Sequence, residues 1–371
     1  MTRRIGAVAL LACSALLLAA CSDDGSSSAP PPTPLPPAST AAPNPGASTG
    51  RSELLPSTRV STADVPLMPF GPAGDGTTLW YWDDGTGKVV SIDTATGKAG
   101  TPITVSKPGG TPYGSPKTVA VGSSGVWAAN ARRHTLDRID PATSAIAERI
   151  PLKPPSSAKL SKAVTPYGLA VDGASLWTTD FDQGVLLQVN ATSGKVTRVV
   201  KKLGHPAAVA TGFGSVWVYE YREGIIARVD PATGKVVKRI EVQNSLGSGP
   251  CGGCGDNIAV GSDALWFPLG NGFGVARIDP TTNAVTATIP LTIVVNRAFA
   301  DDSGVWVAGG SGTRDQNAVV LRIDPSTAQV NGRLAVPYAI DAAVAPAGGD
   351  VWVGTAQTLD AGTVVRVHLG E

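Results

Sequence analysis

The stretch Val216–Val242, VWVYEYREGIIARVDPATGKVVKRIEV, constrains this chain most, because imperfect copies of it fill most of the sequence. Ser215–Tyr219 is rich in β-branched and aromatic residues, which fit a pleated, buried surface. Glu220–Gly224 is polar and ends in glycine, and Ile225–Val229 is apolar with one arginine. DPATG at Asp230–Gly234 has turn chemistry: an aspartate to cap, a proline to preset φ and a glycine for φ > 0. Lys235–Val242 mixes apolar residues with Lys238, Arg239 and Glu241, as an outer strand must to discourage edge pairing. With the short apolar segment Ala208–Ala210 ahead of it, the unit reads as four strands in about 45 residues, the size of a propeller blade.

The tryptophan of the second strand recurs at Trp80, Trp127, Trp177, Trp217, Trp266, Trp306 and Trp352. The turn recurs as DTATG from Asp93, DPATS from Asp140, NATSG from Asn190, DPATG from Asp230, DPTTN from Asp279 and DPSTA from Asp324. Seven tryptophans against six turns leave the seventh unit one outer strand short. A segment near Ser57–Leu67 is expected to supply it, closing the ring and removing an open edge. The expectation is an all-β fold, a seven-bladed β-propeller of four-stranded antiparallel blades over residues 57–371. The pattern V/L-W-V…R-I/V-D-P-x-T-G-x-V resembles the seven-bladed YVTN/NHL-type propellers, including the virginiamycin B lyase-like group. Fixed in the second strand, the tryptophans read as filler between blades. The turn aspartates read as caps, since no turn gathers several carboxylates.

Residues 1–21 read as a targeting segment: Arg3 and Arg4, an apolar run Ala7–Ala20, then Leu18-Ala19-Ala20-Cys21, which resembles the bacterial lipoprotein cleavage box. The resemblance implies lipidation of Cys21, a signal peptide removed there, and an extracytoplasmic protein on a bacterial membrane. The run is short for a membrane span. Residues 22–56 are Ser-, Ala-, Thr- and Pro-rich with little apolar surface, the composition of a disordered tether. Net charge is +1 with 16% charged residues, so no basic face advertises a nucleic-acid partner.

Once Cys13 leaves with the signal and Cys21 carries lipid, Cys251 and Cys254 are the remaining thiols. Outside the cytoplasm the pair is expected as a disulfide stapling the loop Gln243–Asn257. A zinc site and a redox motif are the alternatives; zinc needs two more ligands in a chain with three histidines.

In a propeller, the links between blades and the loops between second and third strands open on one face. Those segments make Lys117, Arg132, His134, Tyr167, Asp182, His205, Glu220, Arg222, Asp256, Arg297 and Tyr338 the candidate ligand-binding face. Lys117, Tyr167, Ala207, Asp256, Arg297 and Ala342 fall at equivalent places of the inner strands, where the variation among Lys, Tyr, Asp and Arg suits a polar binding mouth. The lyase resemblance implies paired histidines, an acidic residue and Mg2+ on this face, for which His205 and His134 are the candidates. The chain carries neither His-x-Glu nor Glu-x-His, and Phe267-Pro268-Leu269 after Trp266 supplies no base. The residues therefore favour a non-enzymatic module without cofactor, binding a small ligand or an envelope protein, with a metal-dependent lyase or hydrolase as the alternative.

Overall fold

The computed structural model describes residues 57–65, 69–83, 86–107, 118–242, 257–269, 274–291, 293–301, 303–310, 318–336, 342–347, 350–358 and 361–369. Signal segment, Cys21, tether, Cys251 and Cys254 lie outside these residues, as do Lys117, Asp256 and Tyr338.

The fold is all-β, a propeller of four-stranded antiparallel blades, with seven such sheets among the described residues. One strand, β1 (Ser57–Val65), precedes them. The first sheet is β2 (Pro69–Gly74), β3 (Thr78–Asp83), β4 (Lys88–Asp93) and β5 (Ile103–Thr104). The second is β6 (Val119–Gly122), β7 (Gly125–Asn130), β8 (Thr135–Asp140) and β9 (Ala145–Pro151). The third is β10 (Leu169–Asp172), β11 (Ser175–Asp180), β12 (Val185–Asn190) and β13 (Val196–Val200). The fourth is β14 (Pro206–Gly212), β15 (Ser215–Glu220), β16 (Ile225–Val229) and β17 (Val236–Glu241). The fifth is β18 (Ala259–Val260), β19 (Leu265–Pro268), β20 (Val275–Asp279) and β21 (Ala284–Ile289). The sixth is β22 (Val294–Asp301), β23 (Gly304–Gly310), β24 (Ala318–Asp324) and β25 (Gln329–Val336). The last contains β26 (Ala342–Ala347), β27 (Asp350–Thr358) and β28 (Ala361–Leu369), and β1 is its fourth strand. β1 runs antiparallel to β28, from Ser57 opposite Leu369 to Val65 opposite Gly362.

Neighbouring sheets meet through seams of side chains. Alternate residues of a strand point to opposite faces, so on β15 Val216 and Val218 pack toward the third sheet while Trp217 and Tyr219 pack toward the fifth. The repeated tryptophan always fills the seam to the next sheet: Trp127 meets Leu176 and Leu187, Trp177 meets Val216 and Val218, and Trp266 meets Val305 and Val307. Trp352 joins the last sheet to the first, packing with Leu79, Tyr81 and Ile92. Each tryptophan is fully buried, and a fully buried large apolar side chain contributes about 2–3 kcal/mol. Burial also pushes the Tyr81 phenol well above its ordinary range, and its hydroxyl has no hydrogen-bond partner among the described residues.

The turns hold the other end of each of the first six sheets. Asp230 accepts from the NH groups of Ala232 (2.8 Å) and Thr233 (3.2 Å), and Gly234 closes the turn onto the Asp230 carbonyl with φ +70°. Asp93, Asp140, Asn190, Asp279 and Asp324 cap their turns in the same way. The turns also receive arginines from the preceding sheet. Arg228 stacks over Trp217 at 5.0 Å and donates to the Pro280 carbonyl at 2.8 Å and to Asn283 Oδ1 at 2.9 Å. Arg198 reaches the Ala232 carbonyl at 2.6 Å.

Candidate functional site: the loop face

The strand ends opposite these turns carry the loops between second and third strands and the links between sheets. In the second to fourth sheets the second strand ends on a polar residue: Asn130, Asp180 and Glu220, all buried. Asn130 and Asp180 hold the loop that follows, and Glu220 holds the link that comes before its sheet. Asn130 Oδ1 accepts from the Arg133 NH at 3.2 Å, while its amide nitrogen donates to the Val105 carbonyl and Asp137. Asp180 accepts from the Gln183 NH (3.0 Å), the Gln183 side-chain amide (2.8 Å) and the Thr165 NH in the incoming link (2.9 Å). Glu220 accepts from the Gly204 NH at 3.0 Å and pairs with Arg239 at 3.1 Å.

Glu220 therefore corrects the expectation from sequence. Its side chain is 3% exposed and each of its oxygens accepts a hydrogen bond, so it braces the link before β14 and is not presented at the surface. His134 is half-buried with φ 57°, and its Nδ1 donates to the Val164 carbonyl at 2.9 Å, pinning the link 152–168 to its neighbouring loop. The exposed Asp182 pairs with Lys162 at 2.9 Å, and this carboxylate raises the lysine's pKa. Arg132 and Arg222 are exposed on their loops; Arg297 is half-buried on β22, in register with Ala308.

Aromatic rings, more than charges, come together here. Tyr167 stacks on Phe181 at 5.3 Å, Phe181 meets His205 edge-on at 5.2 Å and Tyr221 at 5.8 Å. Tyr221 continues to Tyr219 at 6.3 Å, and Tyr219 to Phe267 at 4.5 Å, so the ridge runs from the third to the fifth sheet. Tyr219 and Phe267 form its buried root; burial and the neighbouring Tyr221 push the Tyr219 phenol far above its usual range. Tyr167, Phe181, His205 and Tyr221 are half-buried. The His205 carbonyl accepts the Tyr221 NH at 3.1 Å, and the His205 Nδ1 is buried with no hydrogen-bond partner among the described residues. Gly168 allows this approach, since a Cβ there would lie 2.5 Å from the Ala207 carbonyl.

Phe181 was not among the residues expected from sequence. The signal was present: like Tyr221, it directly follows the polar residue that ends a second strand.

The metal expected under the lyase resemblance finds no donor set here. Mg2+ takes oxygen ligands in near-octahedral array, yet the carboxylates of Asp180 and Glu220 are occupied and His134 Nδ1 is engaged. Among the described residues no group of three His, Cys, Asp or Glu side chains is placed to hold an ion.

No protein-family model and no curated protein matches this chain. Among solved structures, a streptogramin B lyase is similar with a TM-score of 0.59 and 19% identity, over 82% of this chain and 97% of that one. The structure of U3-55K is as similar, with a TM-score of 0.60 and 10% identity over 82% and 98% of the two chains. At such identities the likeness is one of fold, and the chain shares the β-propeller fold with both proteins.

Proposed function

We propose that this chain is an extracytoplasmic binding module: a seven-bladed ring closed by β1, held at a bacterial membrane by a lipid on Cys21, and binding a ligand or protein partner non-enzymatically through its loop face. One observation carries the preference for binding over catalysis. The acidic side chains at the strand ends, and His134, serve as scaffolding, while Tyr167, Phe181 and Tyr221 are gathered half-exposed above them. A general base must reach the proton it removes, and neither Asp180 nor Glu220 is accessible to a substrate. The ring reading is supported by the pairing of β1 with β28 and by the seam that joins Trp352 to the first sheet. The anchor rests on the sequence around Cys21.

A thermal-shift screen with divalent metals, chelator and candidate ligands tests the binding reading, because whatever binds the folded state raises Tm. A ligand-dependent rise that is indifferent to metals supports a binding module. A metal-dependent rise lost in His205→Ala would replace it with a metal-dependent lyase reading, the chemistry named for one structural neighbour. Cys21→Ser should release the protein from membranes; retention would sink the anchor.

A further inference from the structure

The ridge lies in a patch of one charge. The loops and links 131–134, 152–168, 181–184, 201–205 and 221–224 carry eight lysines and arginines against two acidic residues, Asp182 and Glu223, in a chain of net charge +1. All eight basic side chains are exposed. At the opposite end of the same three sheets, the turns 123–124, 141–144, 173–174, 191–195, 213–214 and 230–235 carry only Lys195, Lys235 and Asp230. Positive charge is thus concentrated around the aromatic rings.

The backbone of this patch is held at some cost. Of eight non-glycine residues with positive φ among those described, four lie here: His134, Lys159, Lys202 and His205. Such a conformation costs a side-chain-bearing residue about 1–2 kcal/mol relative to its usual wells. The chain keeps lysine and histidine where glycine would be cheaper, and His205 Nδ1 stays buried without a partner among the described residues.

From these observations, and resting on the binding-module reading, we infer that the loop face of the second to fourth blades binds an acidic polysaccharide, a glycan whose sugar rings carry carboxylates. The C–H face of a pyranose packs on the negative face of an aromatic ring, and the half-exposed cluster of Tyr167, Phe181 and Tyr221 supplies aromatic surface of that kind. Exposed lysines and arginines on the same loops and links attract the carboxylates and steer a long anionic chain toward the ridge. A nucleic acid fits less well. The expected location is outside the cytoplasm.

Calorimetric titration of the full chain with oligogalacturonate, dextran and oligo(dT) tests this. Oligogalacturonate should bind, at least about tenfold more tightly than dextran, and weaken as salt rises because exposed charges are screened. Phe181→Ala and the pair Lys153→Glu/Lys159→Glu should each lose about tenfold or more, with Tm confirming that both fold. Lys195→Glu/Lys235→Glu at the opposite end should leave binding unchanged. Equal binding of dextran, tighter binding of oligo(dT), or no binding of oligogalacturonate would each overturn the inference. In the last case the binding-module reading still stands or falls on the thermal-shift screen.

Discussion

The guanidinium of Arg366 lies 5.2 Å from the centre of the Trp352 ring, and the same side chain donates to the Ala95 carbonyl at 3.0 Å, 271 residues away in sequence. The last sheet is thereby latched to the first turn. Arg366 also pairs at 2.5 Å with Asp350, whose side chain is 1% exposed and whose second oxygen meets His368 Nδ1 at 2.7 Å. Arg366→Ala should cost about 3–5 kcal/mol, because it breaks a buried ion pair and leaves the Asp350 carboxylate only the exposed His368 as an ionic partner among the described residues. Arg228→Ala, which loses stacking and three hydrogen bonds, to Ser215, Pro280 and Asn283, but strands no charge, should cost only about 1–3 kcal/mol. Denaturant titrations giving the reverse order would refute this, and Asp350→Asn should recover part of the Arg366→Ala loss.

Removing residues 57–65 should lower Tm far more than removing residues 28–50. Without β1, strand β28 keeps β27 on one side but loses its other antiparallel partner along nearly its whole length and becomes an open edge. Equal melting temperatures for the two deletions would end the closure model.

Acid should weaken the fold through its turns. Hydrogen bonds from backbone NH and hydroxyl groups of their own turns hold Asp93, Asp140, Asp230, Asp279 and Asp324 below the ordinary carboxylate range. A depressed folded-state pKa means the unfolded chain takes up protons first. The stability from these groups is therefore complete above about pH 4 and is lost as pH falls through the lower folded values. Tm followed from pH 6 to pH 2 should drop steeply below about pH 4. Asparagine at all five positions, as at Asn190, should keep the acceptors and flatten that slope.

Two single-site changes should move stability in opposite directions. Gly274 has φ +102°, and a Cβ there would lie 1.8 Å from the Ile289 carbonyl oxygen. Gly274→Ala should cost about 2–4 kcal/mol, since backbone must shift. Ala328 occupies φ 55° in the turn that follows Asp324, so Ala328→Gly should gain up to about 1 kcal/mol. Chemical denaturation of both variants reads the two signs together.

Much of the architecture was legible because its causes are local and repeated. A tryptophan between apolar neighbours announces a strand buried on both faces, and an aspartate followed by proline, threonine and glycine announces a capped turn. The candidate site was less legible because its parts come from three sheets. Glu220 sits in a polar loop sequence and reads as accessible, but whether a carboxylate faces solvent or the Gly204 amide depends on a link 16 residues earlier. Phe181 and Tyr167 are 14 positions apart, and nothing local states that their rings stack. The arginines opposite the tryptophans were visible as R-V-D and R-I-D, yet their reach into the next sheet's turn is a property of the packed ring.

All eight tryptophans are at most 2% exposed and lie in the seams between sheets. The molecule thus carries a built-in optical gauge of its own cohesion: ultraviolet emission stays blue while the seams are dry and reddens when water enters one. The outer part of the ridge is built from tyrosine, phenylalanine and histidine. A guest settling there meets no indole, so a spectral change on its arrival would report sheets shifting against one another and not the contact itself.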